Sequence, residues 1–573
     1  MRHLYNIVFR ILFVSNAFFN SGIHAADSNI NRIHSCSRLL SNIQAPVSYY
    51  IHPVKGNDAN PGTSIQQPFQ SLSQIEKIQL KPGDKIVLAA NMEYAGSLKL
   101  VNQHGDPDNP ITVTSIDWNS KKINHPALIN FKNRSIGILI QDCSYLKISN
   151  LQLTGNGSEP SGEKSETRCA VLINNLFDTG MTNIGLDQLS IKDVYFENPG
   201  FVRDAKEVHS ANGTQSYGWG IKVVNKITDH LIRNIQIQNC VITDVSHTGI
   251  KLTGNKKNIK GIKILNNLIS YTGGPGIQMS EVQDVYVANN TVDHSGSNND
   301  SRKWGRGSGL WTWGSKNILI EKNKFLHANG PGDSDGAHID FNCENVIIQY
   351  NLSAYNAGGF CEILGNNYNA IYRYNISVND GHRIKGKNGA FQEGKTLWLS
   401  GYQGDKQKRK GPVNTYIYNN TIYTDASIFP KIAFDNTSKN VVIANNIFYL
   451  VNPFQVVQGD QYKPDVSAVT GVENMALSNN LFLNSHCWPG EMPVNGAVSL
   501  FGNPEFAKPG GLQIQDYMPL NTALISNKGS KVVEWNMNNA KSLEWLKMEK
   551  DILGNPVSDH PSIGAIEPVA HSK

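Results

Sequence analysis

An asparagine recurs inside one short phrase through the second half of the chain. The phrase reads ILNNLI at 264–269 and VANNTV at 287–292, and variants follow as far as LSNNLF at 477–482. Its last asparagines are Asn267, Asn290, Asn323, Asn351, Asn375, Asn420, Asn446 and Asn480, with gaps of 23, 33, 28, 24, 45, 26 and 34 residues. A constant phrase with a shortest gap of 23 predicts a solenoid, in which each turn has one fixed length plus insertions.

The repeating phrase is strand-like. It alternates apolar and polar residues, is rich in β-branched residues and is bounded by Gly, Asn, Asp and Ser. Parallel strands in a coil would stack equivalent positions about 4.8 Å apart. Asn suits the bend between strands because it tolerates a left-handed φ, and stacked Asn side chains can bond one another. The prediction is an all-β parallel β-helix.

The ends and the composition set further bounds. Residues 1–26 have the features of a secretory signal peptide: Arg2, Arg10, a short apolar core at 11–19 and small residues before Ala26. Without those two arginines, 50 basic residues face 47 acidic ones, a net charge of +3 that does not indicate nucleic-acid binding. No later segment approaches a membrane span. We therefore expect a secreted or periplasmic monomer, with residues 27–48 as a linker.

The segments on either side of the repeats resemble those of a known superfamily. The motifs are Gly56-Asn57-Asp58, Asn60-Pro61-Gly62-Thr63, Pro68-Phe69, Pro82-Gly83-Asp84, Gly502-Asn503-Pro504 and Ile563-Gly564-Ala565-Ile566. They resemble the caps of secreted right-handed parallel β-helix proteins of the pectin-lyase-like superfamily. The resemblance implies a right-handed coil, an N-terminal cap at 49–118, repeats at 119–500 and a C-terminal cap at 501–573. It does not specify an activity, because that superfamily includes lyases, hydrolases, epimerases and non-catalytic proteins.

A second repeat predicts a functional face. Short strands follow the loops at 220–223, 249–252, 276–279, 309–312, 337–341 and 359–363. Since neighbouring residues in a strand alternate faces, apolar residues pointing inward leave one outward line. That predicted line is Lys222, Lys251, Gln278, Trp311, Asp340 and Glu362. A row of this composition is typical of a sugar-binding groove.

The loops that feed these strands supply further candidates. They are longest at 200–220, 294–308, 328–336 and 380–412, and extra loop residues commonly carry function. We expect substrate contacts from Lys222, Gln278, Trp219, Trp304, Trp311, Trp313 and Arg383. Packing at a loop base is the alternative for each single tryptophan.

Acidic residues cluster on two adjacent turns: Asp333, Asp335, Asp340 and Glu362, with His338 among them. Glycoside hydrolysis needs two carboxyls, about 5–5.5 Å apart for retention or about 6.5–9.5 Å apart for inversion. Residues stacked on neighbouring turns lie about 4.8 Å apart. The first hypothesis is a glycoside hydrolase with Asp340 and Glu362 as the carboxylate pair and His338 assisting, which requires no cofactor. A structural alternative has Asp335 capping a turn and Glu362 paired with an arginine.

Two other functions stay open. A β-eliminating polysaccharide lyase would use a base such as Lys251 or His338 and a cation to stabilise the enolate. In that case Asp333 and Asp335 would hold Ca²⁺ through oxygen ligands. The third hypothesis is a non-catalytic glycan-binding or surface protein.

Overall fold

The structure is a computed structural model that describes residues 45–118, 125–132, 134–155, 168–177, 179–195, 218–296, 306–457, 472–490, 495–532 and 546–568. The predicted signal peptide and most of the predicted linker lie outside these residues. The described residues from Ser48 onward form one compact unit.

Each turn of the coil contains three short parallel strands. In one complete turn these are Ile259–Leu265, Leu268–Thr272 and Ile277–Ser280, and each pairs in parallel with its equivalent on the next turn. The strands therefore stack into three sheets, which we number 1 to 3 in the order in which a turn meets them. The architecture is a parallel β-helix, and the prediction of the fold is confirmed.

Sheets 1 and 2 share the strands Ser144–Gly155, Met181–Val194 and Glu473–Phe482, which run through both. The other strands of sheet 1 are Ser48–Ile51, Lys85–Ala89, Ile111–Ile116, Ile232–Gln238, Ile259–Leu265, Val282–Ala288, Lys316–Glu321, Glu344–Gln349, Tyr368–Arg373, Val413–Tyr418 and Lys439–Ala444. The others of sheet 2 are Glu93–Ala95, Ala127–Asn130, Val241–Val245, Leu268–Thr272, Thr291–Asp293, Lys324–Leu326, Leu352–Ala354, Ile376–Val378, Thr421–Thr424, Ile447–Leu450 and Asn495–Phe501.

Sheet 3 carries the strands of the second repeat. Its strands are Leu98–Val101, Ile136–Gln141, Arg168–Asn175, Gly218–Asn225, Ile250–Thr253, Ile277–Ser280, Leu310–Trp313, Ala337–Ile339, Gly359–Ile363, Lys395–Leu399, Lys431–Phe434 and Gln455–Val456. Short 3₁₀ helices lie at Leu72–Lys77, Ile514–Tyr517 and Thr522–Leu524. The alternate residues of each strand that point inward form one continuous apolar core.

The recurring asparagines form a buried ladder at the bend between sheets 1 and 2. The backbone N–H and the side-chain Nδ2 of Asn323 both donate to Asn351 Oδ1, at 2.9 and 3.0 Å. Asn351 makes the same pair of bonds to Asn375. The pattern continues without a break from Asn267 to Asn480. The predicted stacking of asparagines is thus confirmed.

The left-handed residue of the bend is not the ladder asparagine but the residue before it. Positive φ values near 50–60° occur at Asn266, Asn289, Lys322, Tyr350, Tyr374, Asn419, Asn445 and Asn479. Our conformational explanation for the repeating asparagine was therefore wrong. The ladder position requires Asn because its amide both accepts and donates along the coil axis.

The C-terminal segment runs back along the outer side of the coil. Tyr418 and Tyr350 of sheet 1 donate their hydroxyls to the carbonyls of Leu546 and Lys550, at 2.7 and 2.5 Å. Tyr355, just after a sheet 2 strand, donates to the carbonyl of Gly510 at 2.9 Å. The segment thus covers the outer faces of sheets 1 and 2 over several turns, in addition to following the last turn.

The cysteines of the described residues are all free and buried: Cys143, Cys169, Cys240, Cys343, Cys361 and Cys487. Among the described residues, the structure contains no helix with the length and apolar character needed to cross a membrane.

Candidate functional site

The register of sheet 3 places one row of side chains on its outer face. Lys222 is level with Lys251, Lys251 with Gln278, Gln278 with Trp311, and Trp311 with His338. Ile339 pairs with Ile363, which brings His338 level with Glu362. Glu362 is in turn level with Trp398. Five of the six residues predicted for this row are therefore in it.

Asp340 is not in that row, and the predicted stacking of Asp340 on Glu362 was wrong. Ala337, rather than Ile339, pairs with Leu310, so the strand is shifted by two residues from the expected register. A shift of two keeps every inward residue inward, so the apolar pattern does not reveal it. Asp340 follows the end of the strand, and its N–H donates to the carbonyl of Thr312 at 2.9 Å. It lies about 7 Å along the strand from His338.

A buried cluster includes two members of the row, His338 and Glu362, together with Asp335. Asp335, His338 and Glu362 are 1, 2 and 2% exposed, and one ligand atom from each lies within 4.8 Å of the others. Burial raises the pKa of Glu362 well above its usual range, and the neighbouring Asp335 carboxylate raises it further. Burial also lowers the pKa of His338, although Asp335 opposes this shift. The environment of Glu362 therefore favours its uncharged form, and almost none of its surface is exposed.

His338 is held in place from two sides. Its ring stacks parallel to that of Trp311, with the centroids 6.2 Å apart. Its Nδ1 lies 3.1 Å from Ser308 Oγ and 3.7 Å from Asp335 Oδ2. This packing gives His338 the position of a buried support below the surface.

Asp340 is only half-buried, and its environment disfavours the charged form. Burial is the main cause that raises the pKa of Asp340 to about 7, and the negative charge of Asp333 adds to it. The hydrogen bond from the Phe341 N–H, 2.8 Å long, and the positive charge of Arg306 act in the opposite direction. Asp340 is therefore a carboxyl that can hold a proton near neutral pH while part of it remains accessible.

Asp333 is a second carboxyl beside Asp340, but its environment is different. Its Oδ2 lies 3.6 Å from Arg306 Nη1, and both side chains are about nine-tenths buried. Its Oδ1 has no hydrogen-bond partner among the described residues. Asp333 and Asp340 are electrostatically coupled, since the charge of Asp333 contributes to the raised pKa of Asp340.

The backbone at Asp333 is strained and is fixed by its neighbours. Asp333 and Ser334 both have left-handed φ values, of 42° and 70°, which cost energy in residues other than glycine. Gln392 Oε1 accepts a hydrogen bond from the Asp333 N–H, and Arg383 Nη1 donates to the Asp333 carbonyl at 2.7 Å. Arg383 also donates to the carbonyls of Gly330 and Gln392. Arg383, which we predicted to contact substrate, is thus a buried support of the Asp333 loop.

The tryptophans that we predicted to contact substrate lie in different environments. Trp219 is fully buried, so it is not a sugar platform, contrary to our prediction. Lys222 Nζ lies 3.6 Å from the Trp219 ring centroid and Lys251 Nζ lies 5.8 Å from it. Trp311 is 7% exposed and Trp313 is half-buried. Trp304 lies outside the described residues.

The basic end of the row is separate from the carboxyls. Lys251 is three strand steps from His338, which corresponds to about 14 Å at about 4.8 Å per step. Burial lowers the pKa of Lys222, its neighbour in the row. The structure therefore does not bring Lys251 together with Asp340 and Glu362, although we predicted all three as catalytic.

Asp333 and Asp335, which we predicted to hold calcium, lie in different environments. Asp333 is ion-paired with Arg306, whereas Asp335 belongs to the buried cluster with His338 and Glu362. Among the described residues, two clusters of ligand-type side chains exist, and neither contains Asp333. The second cluster, Asp293 with His294 and His327, was not predicted, and neither were the roles of Arg306, Ser308 and Gln392. Arg306, Ser308 and Gln392 lie in insertions or at loop bases, where the sequence offers no periodic signal. Asp293, His294 and His327 do lie at fixed offsets from the ladder asparagines Asn290 and Asn323, and this was the signal that could have revealed them.

Comparison with known proteins agrees with this architecture. A family model described as a right-handed beta helix region matches residues 219–395, which include the row and both carboxyls. A lacto-N-biosidase of Bifidobacterium longum subsp. longum is 23% identical over 91% of this chain. The match covers 36% of that enzyme, so the chain spans about a third of the length of this curated relative.

One solved structure shares this fold. The native crystal structure of a GH136 lacto-N-biosidase from Eubacterium ramulus superposes with a TM-score of 0.51 at 18% identity, covering 74% of this chain and 69% of that one. An alginate lyase from Paenibacillus sp. is a more distant match, with a TM-score of 0.32 at 15% identity, over 68% of this chain and 96% of that one. The protein has a right-handed parallel β-helix fold.

Proposed function

We propose that this protein is a secreted glycan-active enzyme that hydrolyses glycosidic bonds, with Asp340 as the proton donor and Asp333 as the second carboxylate. The observation that carries the proposal is the contrast between the environments of these two carboxyls. Asp340 is partly exposed with its pKa raised to about 7, in part by the charge of Asp333, whereas Asp333 is ion-paired with Arg306. Glycoside hydrolysis uses two carboxyls whose environments differ in this way.

The chemistry assigns one step to each residue. Asp340 gives its proton to the glycosidic oxygen as the bond to the anomeric carbon breaks. Asp333 either attacks that carbon, or removes a proton from the water that attacks it. The separation of the two carboxyls in the substrate complex determines whether the product retains or inverts its configuration. Arg306 holds Asp333 in an ion pair, with 3.6 Å between Nη1 and Oδ2, in either case.

This pair replaces our earlier partner for Asp340. Glu362 is buried, and the register pairs the residue before Asp340, Ile339, with Ile363, so that Glu362 is level with His338. We assign Glu362 and His338 to the support of the Asp333–Asp335 loop. The similarity to lacto-N-biosidases makes glycans that end in lacto-N-biose the first substrates to test.

The test uses two substrates with the same disaccharide and different leaving groups. Nitrophenolate leaves readily without a proton, whereas a sugar alkoxide needs one, so loss of the acid affects the sugar substrate more. We expect Asp340→Asn to lower kcat on the oligosaccharide by about 10²–10⁴-fold and on the nitrophenyl glycoside by much less. Asp333→Asn should abolish turnover of both.

Glu362→Gln is the matched control, because the amide keeps the shape of the side chain and the environment of Glu362 favours its uncharged form. We expect it to retain most of the activity on both substrates. Loss of activity in Glu362→Gln together with full activity in Asp333→Asn would overturn the assignment and restore the original pair. An unsaturated uronate product, detected by its ultraviolet absorbance, would instead establish a lyase.

A further inference from the structure

A second cluster of ligand-type side chains lies outside the carboxyl site, at the corner where sheet 2 ends. Asp293 is the last residue of the strand Thr291–Asp293, and His294 follows it. His327 follows the strand Lys324–Leu326 of the next turn. The side chains are 30, 43 and 34% exposed, so a solute ion can reach them.

Both imidazoles face the same carboxylate oxygen. His294 Nδ1 and His327 Nδ1 lie 2.7 and 2.8 Å from Asp293 Oδ1. The rings are fixed in a stack, with Tyr271 4.9 Å from His294, His294 4.7 Å from His327, and His327 5.8 Å from Tyr355. The histidines therefore do not need to reorganise in order to present both nitrogens together.

Hydrogen bonding does not fully account for this arrangement. His327 Nδ1 makes a well-aligned hydrogen bond to Asp293 Oδ1. His294 Nδ1 is close enough but has no hydrogen-bond partner among the described residues, although the atom is shielded from solvent. A buried nitrogen that lacks a partner carries an energetic cost. A metal ion would remove it, because each nitrogen would then present a lone pair to the ion.

We propose that Asp293, His294 and His327 form a binding site for Zn²⁺ or a similar transition-metal ion. Two ligands each about 2.0–2.1 Å from a tetrahedral ion lie about 3.3–3.4 Å apart, so the separations of 2.7 and 2.8 Å in the structure would widen by about 0.6 Å when the ion binds. Two imidazoles and one carboxylate suit zinc and its neighbours, whereas Ca²⁺ prefers a shell of oxygen ligands. The site is therefore distinct in both place and chemistry from the predicted calcium site.

The position of the cluster indicates what the ion does. His294 begins the loop that leads to Arg306, and His327 begins the loop that leads to Asp333. Two backbone interactions already join the two loops near their bases. The Asn329 N–H donates to the Ser295 carbonyl at 2.8 Å, and Arg306 forms an isolated parallel β-bridge with Gly332. An ion bound by both histidines would connect the two turns and fix the loop bases.

Metal analysis of the full chain tests the site directly. After treatment with a chelator, the protein is incubated with Zn²⁺, desalted and measured for metal by mass spectrometry. We expect about one tightly bound equivalent in the wild type, and at least tenfold weaker binding in His294→Ala and His327→Ala. His486→Ala, an exposed histidine outside the cluster, should bind as the wild type does. Glu362→Gln should also bind normally, which separates this site from the buried one.

Two further readouts keep the test independent of folding and of activity. Zn²⁺ should raise the Tm of the wild type and of His486→Ala but not that of Asp293→Asn, whose amide keeps the side chain's shape. Co²⁺ should give the visible absorption bands of nitrogen coordination, and these should disappear in His327→Ala. No retained zinc in the wild type, or equal retention in both histidine variants, would show a hydrogen-bonded triad only and would overturn the proposal.

Discussion

Replacing one rung of the asparagine ladder tests whether that ladder holds the coil together. Asn351 is 2% exposed and lies in the middle of the ladder. Its Oδ1 accepts two bonds from Asn323, and its Nδ2 donates to the carbonyls of Ile320 and Gln349 and to Asn375 Oδ1. Asn351→Ala removes all five interactions but leaves the backbone conformation accessible, because the left-handed residue of the bend is Tyr350.

The expected magnitude follows from the groups that lose their partners. The buried N–H of Asn323 loses its acceptor, and the carbonyls of Ile320 and Gln349 each lose a donor. An unsatisfied buried polar group costs about 1–3 kcal/mol, and some of these groups keep another partner or admit water. We therefore expect the free energy of unfolding to fall by about 3–5 kcal/mol.

The matched control is a second asparagine ladder on the outside of sheet 1. Asn345 bonds Asn317 and Asn369 in that ladder but is half-buried, so water can replace its bonds. Its φ of 57° requires Asn345→Gly rather than Ala, since glycine accepts that conformation freely. We expect this variant to lose less than about 1 kcal/mol.

Guanidinium unfolding followed by tryptophan fluorescence gives the comparison. Limited proteolysis then reports whether the coil opens locally at the mutated turn. Equally small decreases in the free energy of unfolding for Asn351→Ala and Asn345→Gly would refute the reasoning. They would show that a buried ladder hydrogen bond stabilises the coil no more than a half-buried one.

Two further predictions concern the carboxyl pair. Asp340 binds its proton more tightly in the folded state, because its pKa is raised from 3.8 to about 7. Its protonation therefore contributes to the free energy of unfolding in full below pH 3.8, and this stabilisation is lost as the pH rises through about 7. Asp340→Asn should therefore be more stable than the wild type at pH 8, by about 1–2 kcal/mol after allowance for partial exposure, and similar to it near pH 3; thermal unfolding at both pH values measures this. Arg306 lowers the pKa of Asp340, so Arg306→Gln should move the alkaline limb of the pH–activity profile to higher pH, and an unmoved limb would contradict the coupling.

The sequence predicted the fold well because the fold depends on periodic features. The inward apolar residues and the stacked asparagines recur once per turn, so errors at one turn are corrected by the others. The caps were inferred from local motifs, but the path of the C-terminal segment was not, since contacts such as Tyr350 with Lys550 join residues 200 positions apart.

The site was predicted less well because it lies in the non-periodic insertions. Sequence analysis selected Asp333, Asp340 and Glu362 but gave them the wrong partners. Trp219 was selected as a surface aromatic, yet it is covered completely. The cluster of Asp293, His294 and His327 was missed. Asp293 and His294 precede His327 by 34 and 33 residues, and only the stacking of neighbouring turns brings the three together.

The misplacement of Asp340 follows from how a β-helix accommodates insertions. A shift of one residue would turn Ile339 outward and expose the core, so the apolar pattern excludes it. A shift of two residues leaves Ile339 buried and moves His338 into the row, at no cost to the core. The loop before this strand can therefore change by pairs of residues while the scaffold remains intact. Each such change moves a different side chain into the row, which gives the fold a means of altering its chemistry without altering its stability.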